Sequence, residues 1–288
     1  MQTYYDLNTA FIEELVDLRS SGLVVRSRGS EQSETLFSSF ILADPTKLQI
    51  LAPARRFSPE YATIEWLWYL SRNPKVNNIG KYAKIWLDIK DSLGEVESNY
   101  GTYIFNHTLN QWAWVIEELT RDKDSRRATI AINELEHKNR NDKDYPCTHY
   151  LHFFIRDDEL HMGAYMRSND AIFGFCNDVY NFCLFQQLML NELRVYYPNI
   201  KLGSYYHSAG SFHVYGRHYK MMDKICDNYY VDCISNGYPL TESTTLKPHI
   251  TWDYIVKNNL SLPFYDMSKE EIKEFYKKAK EQIFDEYP

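Results

Sequence analysis

Cys147 is the residue of this chain best suited to covalent chemistry. It follows Pro146 and precedes two strand-like runs, after which comes Arg167. The thiolate is the nucleophilic form of cysteine, and nearby cations lower the pKa of the thiol. Arg126, Arg127 and Arg167 are expected to act on Cys147 in this way. Because a lone cysteine is more often a small buried hydrophobe, the prediction of a nucleophile depends on these neighbours.

A carboxylate and two arginines stand out earlier in the chain. Glu65 lies in the apolar run of residues 63–70, where a carboxylate needs a partner or a chemical task. The alternative is that Glu65 lies on a solvated helix face. Arg26 and Arg28 flank Ser27 in a run of small residues, which suits a phosphate-gripping loop because arginine presents a planar fork of donors. A solvated turn is the commoner outcome for such a run considered alone.

Composition argues against several classes of protein. With 32 basic and 39 acidic side chains the net charge is −7, which disfavours extended binding to nucleic acid. Five cysteines without paired spacing predict no disulfide framework, and a reducing cytoplasm fits them better. The first residues lack a signal-peptide pattern, and no run reaches the roughly 20 apolar residues of a membrane span. We therefore expect a cytoplasmic protein with no membrane partner.

Metal and hydrolase motifs are absent from the sequence. His149 and His152 are three apart on a predicted strand, so their side chains are expected on opposite faces. No Cys-x-x-Cys or His-Glu-x-x-His pair occurs, and no metal site is expected. A serine hydrolase is not expected either, because no Gly-x-Ser-x-Gly elbow is present.

The spacing of apolar residues predicts the elements that must position these groups. Helices are predicted at residues 8–19, 63–70, 111–119 and 177–193, of which the last is long and buried. Strands are predicted at residues 35–42, 128–132, 150–155, 160–166 and 205–215. The polar residues 133–144 predict a mobile loop. Ser268 and Glu271 form a capping-box pattern that begins a charged helix.

Several blocks of this chain resemble the signature blocks of the thymidylate synthase family, in the family's order and spacing. The main ones are Asp124-Ser125-Arg126-Arg127, Pro146-Cys147, Arg167-Ser168-Asn169-Asp170 and His213-Val214-Tyr215. Further matches surround Glu65, Trp86 and Tyr100, and the resemblance runs from about residue 20 to about residue 220. It implies an α+β fold with a mixed β-sheet flanked by helices. It also implies one domain over residues 1–288 and a homodimer whose two sheets pack face to face.

One position within the resemblance bears on the pyrimidine base. Thymidylate synthases carry an asparagine where this chain has Asp178, and that amide pairs with uracil. A carboxylate accepts from the N4 amino group of cytosine and from a protonated N3, whereas the O4 acceptor of uracil would face it repulsively. The segments around Asn169, Asp178 and His213 are similar to those of the deoxycytidylate hydroxymethylases of T-even phages. The resemblance therefore implies hydroxymethylation of dCMP, in the host cytoplasm if a phage encodes the chain.

The resemblance implies catalytic and cofactor roles, with 5,10-methylenetetrahydrofolate as the cofactor. Cys147 is expected to add to C6 of the base, and Glu65 to move protons at the folate and the base. Tyr100 is expected to organise the water that removes the C5 proton. Trp86 is expected near the folate, and Asp170 is expected to bind its pterin.

It also implies the residues that hold the nucleotide. Arg167 and Ser168 are expected to bind the 5′-phosphate, together with Arg126 and Arg127 from the partner subunit. The remaining expected contacts are Asp178 with the base, His213 and Tyr215 with the 3′-hydroxyl, and Asn177 with the substrate.

The chain departs from the family pattern at three places. The family's first phosphate-binding arginine aligns with Ser27, so Arg26 or Arg28 would replace it, and Arg28 is preferred. Thr148 replaces the histidine that follows the nucleophile in thymidylate synthases, which agrees with the hydroxymethylase branch. Residues 240–288 have no counterpart, which leaves the placement of this extension, and of a lid over the folate, open.

Other functions remain open at this stage. A CMP hydroxymethylase of nucleoside-antibiotic type would differ only at the 2′ position of the substrate. A thymidylate synthase acting on dUMP is disfavoured by Asp178, and a further relative could reduce the intermediate to 5-methylcytidylate. An inactive dimeric nucleotide-binding module is disfavoured because Cys147, Glu65 and the arginines are all present.

Overall fold

The computed structural model describes residues 1–139 and 143–288. The strands within these ranges are β1 (Gln2–Tyr4), β2 (Leu23–Ser27), β3 (Ser30–Leu42), β4 (Thr129–Ala131), β5 (Thr148–Arg156), β6 (Glu159–Met166), β7 (Asn169–Asp170), β8 (Lys201–Tyr215), β9 (Thr245–Leu246) and β10 (Phe284–Glu286). The helices are α1 (Leu7–Ser21), α2 (Pro59–Ser71), α3 (Ile85–Ile89), α4 (Gly101–Ile104), α5 (Gln111–Arg121), α6 (Gly174–Leu193), α7 (Tyr219–Lys224), α8 (Val231–Asn236), α9 (Trp252–Lys257) and α10 (Lys269–Ile283). Short 3₁₀ turns lie at Ile79–Lys81, Leu135–Asn139 and Gly216–His218, and a π-helical turn at Ile225–Tyr230 joins α7 to α8.

One mixed sheet contains most of the strands. Its order is β1-β3-β8-β6-β5-β4, with β2 paired to β3 and β7 paired to β8. Strands β3 and β8 pair antiparallel, β8 and β6 pair parallel, and β6 and β5 pair antiparallel. The predicted α+β architecture, a mixed sheet flanked by helices, is confirmed.

The two faces of this sheet have different environments. Alternate residues of β5 are buried, so that Leu151 and Phe153 point into the core. Tyr150 points the other way and is 43% exposed, as is Tyr206 of β8 at 38%. Because side chains alternate along a strand, a single register gives the sheet one covered and one open face.

Helix α6 lies in the middle of the core and carries several residues of the site described below. Almost every side chain along it is buried, including polar ones that are hydrogen-bonded. Gln186, for example, donates from Nε2 to the backbone oxygens of Leu160 and Gly203 at 2.9 and 3.0 Å. These two hydrogen bonds tie the helix to the backbone of β6 and β8.

The predicted helices and strands are confirmed, and most are longer than predicted. Helix α2 begins at Pro59 rather than residue 63, because Ser58 caps it by accepting from the backbone N–H of Tyr61. The predicted loop at residues 133–144 is wrong at Leu135–Asn139, which forms a helical turn. The buried His137 ring lies 2.8 Å from the Tyr103 hydroxyl and anchors this turn. Residues 140–142 of the predicted loop lie outside the described residues.

The extension at residues 240–288 packs against the body of the protein. Strand β9 pairs with β10, and buried residues of both α9 and α10 join the same hydrophobic cluster as the sheet. The hydroxyl of Tyr287 lies 3.1 Å from that of Thr63 on α2. The capping box predicted at Ser268 is confirmed. These contacts support the prediction of a single domain.

Candidate active site

A cavity of about 500 Å³ opens between α2, β7, β8 and the first turns of α6. Ten of the residues singled out from the sequence line it: Glu65, Trp86, Tyr100, Cys147, Ser168, Asp170, Asn177, Asp178, His213 and Tyr215. This volume is within the range of small-molecule sites. Residues far apart in the sequence therefore meet in one place, as the motifs predicted.

Cys147 lies immediately before β5, and the side chain of Arg167 holds its surroundings in place. Arg167 donates from Nε to the Pro146 oxygen at 3.1 Å and from Nη2 to the Tyr145 oxygen at 2.7 Å. The same Nη2 lies 3.6 Å from Cys147 Sγ. A guanidinium fixed by two backbone carbonyls therefore faces the thiol.

The prediction that arginines lower the pKa of Cys147 is wrong for this chain taken alone. Burial raises the pKa of the Cys147 thiol to about 11, and the carboxylate of Asp178 raises it further. Arg167 and Arg28 act in the opposite direction but do not reverse the effect of burial. Desolvation disfavours the thiolate more strongly than one fixed guanidinium favours it.

Two side chains inside the protein donate hydrogen bonds to the Glu65 carboxylate. It is 4% exposed, so the alternative of a solvated position is wrong. Tyr61 donates to Oε1 at 2.7 Å, and Asn181 of α6 donates to Oε2 at 2.8 Å. Burial nevertheless raises the pKa of Glu65 to about 7, because the two hydrogen bonds only partly offset desolvation. A group with that pKa can both accept and donate a proton near neutral pH.

Asp178 lies one turn into α6 and also faces the cavity. Asn169 of β7 donates from Nδ2 to Asp178 Oδ2 at 2.8 Å. Burial raises the pKa of Asp178 well above its ordinary value, and the nearby charge of Glu65 adds to the effect. A Cβ at Gly174 would lie 3.3 Å from Asp178 Oδ2, so the glycine leaves room for this carboxyl group.

Among the residues that the structure describes, two that line the cavity have a buried polar atom without a hydrogen-bond partner. These atoms are Nε2 of His213 and Oδ1 of Asn177. Leaving a buried donor or acceptor unpaired is costly, so such atoms mark places where a ligand completes the hydrogen bonds. His213 was predicted to bind the sugar, and Asn177 was predicted to bind the substrate.

Arg126 and Arg127 are exposed and lie outside this cavity, in a cleft that Glu118 and Arg121 also line. Ser125 fixes their loop, because its hydroxyl donates to the buried Glu118 carboxylate at 2.6 Å. Within a single chain the structure does not bring these two arginines to Cys147. Their predicted role in a partner's site remains a prediction.

Arg28 and Arg26 differ in their surroundings. Arg26 lies 3.6 Å from the Glu31 carboxylate. Arg28 occupies the left-handed region at the β2–β3 turn, with φ of 48°. Its charge lowers the pKa of both Cys147 and Tyr215, which places its influence at the cavity.

Sequence reasoning assigned no role to several residues of the site, and four of them bear directly on its chemistry. Tyr61, Asn169 and Arg217 line the cavity, and Asn181 supports Glu65 from behind. Tyr61 lies four residues before Glu65 on one helix, which is a spacing that predicts contact. Asn181 is far from Glu65 in sequence and gave no such signal.

Two kinds of feature, a metal-binding group and a membrane-spanning helix, are absent from the described ranges. No group of three or more His, Cys, Asp or Glu side chains in residues 1–139 and 143–288 is arranged to hold a metal ion. Among the same residues, no helix combines the length and apolar character needed to cross a membrane.

The mixed sheet, the buried central helix and the cavity with its cysteine define the class of enzyme. The family model for thymidylate synthase matches residues 10–231, so the chain belongs to the thymidylate synthase family. Enzymes of this family transfer one-carbon units and use methylenetetrahydrofolate.

Relatives and a solved structure refine this placement. The chain is 31% identical over 222 residues to the deoxycytidylate 5-hydroxymethyltransferase of Enterobacteria phage T4, covering 72% of this chain and 85% of that protein. It is 27% identical over 257 residues to the deoxyuridylate hydroxymethyltransferase of Bacillus phage SP01, covering 84% of this chain and 64% of that protein. The thermostable thymidylate synthase A from Bacillus subtilis superposes with a TM-score of 0.67 at 20% identity, covering 85% of this chain and 90% of that one. The last comparison confirms the thymidylate synthase-like fold.

Proposed function

We propose that this protein is a deoxycytidylate 5-hydroxymethyltransferase that uses 5,10-methylenetetrahydrofolate. The observation that carries the proposal is a carboxyl group, Asp178, in the same cavity as the nucleophile Cys147. Thymidylate synthases have an amide at the corresponding position. The names of the phage T4 and T6 relatives, at 31% and 30% identity, point to the same base.

The chemistry of Asp178 suits cytosine. Burial raises the pKa of Asp178 well above its ordinary value and so favours its protonated form. A carboxylic acid can donate to N3 of cytosine while its other oxygen accepts from the N4 amino group. The same pair, written with the proton on N3, is a carboxylate facing a protonated base. Either description withdraws electrons from the ring and favours addition at C6.

Cys147 would carry the covalent step. Its thiol loses a proton and its sulfur adds to C6, so that C5 becomes nucleophilic. A pKa of about 11 leaves little thiolate in the free protein, and Arg167 Nη2, 3.6 Å from the sulfur, is the fixed positive charge that favours its formation. C5 would then bond to the one-carbon unit that the folate supplies. Loss of the C5 proton, with cleavage of the bond from that carbon to the folate nitrogen, would release tetrahydrofolate and leave an exocyclic methylene, to which water adds. Release of the sulfur from C6 then gives the 5-hydroxymethyl nucleotide.

Proton movement would fall to Glu65 and Tyr100, which line the same cavity. With a pKa of about 7, Glu65 is divided between its two forms at neutral pH and can serve in both directions. Burial raises the pKa of Tyr100 well above its ordinary value, so the hydroxyl stays protonated and orients water rather than acting as a base.

The cavity has groups that fit a folate. Trp86 offers an indole face, Asp170 a carboxylate for the amino-pyrimidine edge of the pterin, and Ile85 and Phe173 apolar surface. Folate, when bound, supplies the one-carbon unit. Trp86 donates from Nε1 to the Tyr61 hydroxyl at 3.1 Å, and Tyr61 in turn donates to Glu65, so the cofactor end and the proton-moving end are joined.

The phosphate and the sugar would be held by the remaining predicted residues. Arg167, Ser168 and Arg28 would bind the phosphate, and His213 and Tyr215 the 3′-hydroxyl. Arg126 and Arg127 would reach the site of the partner subunit, which requires a homodimer through the open sheet face. The exposed Tyr150 and Tyr206 on that face support this arrangement.

Mixed dimers test the sharing of arginines. Cys147→Ser and the double variant Arg126→Ala/Arg127→Ala should each be nearly inactive alone. Randomly mixed subunits should recover about a quarter of wild-type activity, because half the dimers are mixed and each has one intact site. Mixtures that stay inactive, although subunit exchange is demonstrated, would place the arginines in the same chain as the cysteine.

Release of tritium from C5 tests the function itself. Wild-type protein is incubated with methylenetetrahydrofolate and C5-tritiated dCMP, CMP or dUMP, and the product mass is measured. We expect release from dCMP and a mass gain equal to one hydroxymethyl group. Preference for CMP would support the ribonucleotide alternative, and a methyl gain on dUMP would make the protein a thymidylate synthase. No release from any of the three would leave an inactive nucleotide-binding module.

A further inference from the structure

Three buried side chains form a hydrogen-bonded chain that ends at the partly buried Asp178. The Tyr205 hydroxyl lies 2.9 Å from His207 Nδ1, and His207 Nε2 lies 3.1 Å from Asn169 Oδ1. Asn169 Nδ2 then donates to Asp178 Oδ2 at 2.8 Å. Tyr205, His207 and Asn169 are at most 2% exposed, so water does not compete for these bonds.

The direction of the hydrogen bonds in this chain follows from the state of each group. Burial lowers the pKa of His207 to about 3, so the ring is neutral and has one N–H. Burial raises the pKa of Tyr205 well above its ordinary value, so its O–H remains available as a donor. If Tyr205 donates to Nδ1, the imidazole proton is on Nε2, and that N–H requires the oxygen of Asn169. The amide nitrogen of Asn169 must then face Asp178.

The packing around His207 holds this arrangement. Its ring stacks on Phe40 at 5.2 Å between centroids and meets the edge of Phe175 at 5.6 Å. A ring held on both sides cannot turn to exchange its two nitrogens without disturbing the core. The donor that faces Asn169 is therefore fixed by the core rather than by the substrate.

We propose that Asn169, oriented by His207 and Tyr205, makes Oδ2 of Asp178 the accepting oxygen and thereby sets the preference between cytosine and uracil. This inference rests on the proposed function, because it concerns how the same acid reads the base. Asn169 is here a positioning residue for Asp178. His207 and Tyr205 do not line the cavity, and they act on Asp178 only through Asn169.

Asn169 is needed in this role because the two oxygens of a carboxylic acid are chemically equivalent, so that either can hold the proton. Cytosine presents an acceptor at N3 and a donor at N4, whereas uracil presents a donor at N3 and an acceptor at O4. A protonated carboxyl group whose proton moves freely between its oxygens can pair with either pattern. When Asn169 donates to Oδ2, the proton belongs on Oδ1, and only one of the two patterns fits. An acidic residue by itself thus gives weaker discrimination than an acid with one oxygen already engaged.

Binding of the two nucleotides to the full chain tests this proposal without the cofactor. Dissociation constants for dCMP and dUMP are measured by calorimetry for wild type, Asn169→Leu, His207→Leu, His207→Gln and Tyr205→Phe. The glutamine variant is the matched control, because its amide nitrogen can occupy the position of Nε2 and still donate to Asn169. Thermal unfolding of each variant identifies any that does not fold, and Tyr205→Phe, which removes a single hydroxyl, keeps the test usable.

The quantity that tests the inference is the dissociation constant of dUMP divided by that of dCMP. We expect wild type to favour dCMP, and Asn169→Leu and His207→Leu to lower the ratio by about tenfold or more, as the loss of a hydrogen bond to an acidic group implies. Tyr205→Phe should lower it less, and His207→Gln should keep it near wild type. Folded variants that all keep the wild-type ratio would overturn the inference and leave the proposed function intact. A wild-type protein that binds neither nucleotide would overturn both.

Discussion

The candidate site has two ends, which are built in different ways. We call them the base end and the anion end, after the parts of the nucleotide that they are proposed to hold. At the base end, Cys147, Glu65 and Asp178 come from separate elements and are held by hydrogen bonds that are buried or partly buried. At the anion end, Arg28 lies on an exposed turn, and the loop of Arg126 and Arg127 lies outside the cavity altogether. The base end lies within a single chain, whereas the anion end combines Arg167, which two backbone carbonyls anchor, with solvated arginines.

This difference indicates where the energy of binding is used. Burial raises the pKa of all three groups at the base end, so the free protein holds them away from their charged forms. A substrate that pairs with them offsets this desolvation, and the gain appears in the reacting complex. Exposed arginines are already solvated and contribute through longer-range attraction. Changes at the base end should therefore affect kcat and base choice, and changes at the anion end should affect KM and salt dependence.

The largest effect is expected from Cys147→Ser, which removes the nucleophile and keeps the shape of the site. Turnover of dCMP should fall by about 10⁴-fold or more, because a serine hydroxyl is a far weaker nucleophile at neutral pH. Cys233→Ala, at a buried cysteine outside the cavity, is the control and should keep near-normal activity. A Cys147→Ser variant with substantial turnover would rule out the covalent route and with it the contrast between the two ends.

Glu65→Gln should have the next largest effect and should alter the pH profile. We expect kcat for dCMP to fall by about 100-fold or more, the usual size for loss of a general acid–base group. The wild-type profile should show an ionisation near pH 7, matching the raised pKa of Glu65, and the variant should lack it. A profile that keeps this ionisation would assign it to another group, such as Asp178.

The same variant tests the effect of Glu65 on stability. Burial raises the pKa of Glu65 from an ordinary value of 4.5 to about 7, so the folded state binds this proton more tightly than the unfolded chain. Its contribution to stability is therefore full below about pH 4.5 and is lost as the pH rises through about 7. The shift corresponds to about 3 kcal/mol. Urea unfolding at pH 5 and pH 8 should show a smaller fall in the free energy of unfolding for Glu65→Gln than for wild type.

The sequence predicted which residues meet at the base end, but it did not predict how burial shifts their pKa values. Resemblance to the motifs of a known family, rather than spacing alone, predicted that Cys147, Glu65 and Asp178 share a site, and all three line one cavity. The direction of the Cys147 pKa shift was wrong, since the extent of burial depends on side chains from the whole fold. Partners such as Asn181 come from distant parts of the chain, and pairwise contacts of that kind leave no local pattern.

Arg28→Ala should have a moderate effect that identifies the anion end. The kcat/KM for dCMP should fall by about tenfold, mostly through KM, and the loss should depend on salt because exposed charges are screened. Arg26→Ala is the matched control on the same hairpin, since Arg26 already faces Glu31. A larger loss from Arg26→Ala would assign the phosphate contact to the other arginine.

Tyr61→Phe should have the smallest effect, and it asks whether the base end and the folate end are coupled. The Tyr61 hydroxyl donates to Glu65 and lowers the pKa of that carboxyl group, so its removal should move the ionisation near pH 7 upward by about half a unit to one unit. The same hydroxyl accepts from the indole of Trp86, so the KM for the folate should rise by about two- to fivefold. Tyr82→Phe, which removes a hydroxyl bonded to Glu60 on the same helix, is the control and should change neither quantity. A Tyr61→Phe variant that shifts the pH profile without any change in the KM for the folate would show that Glu65 is tuned independently of the cofactor.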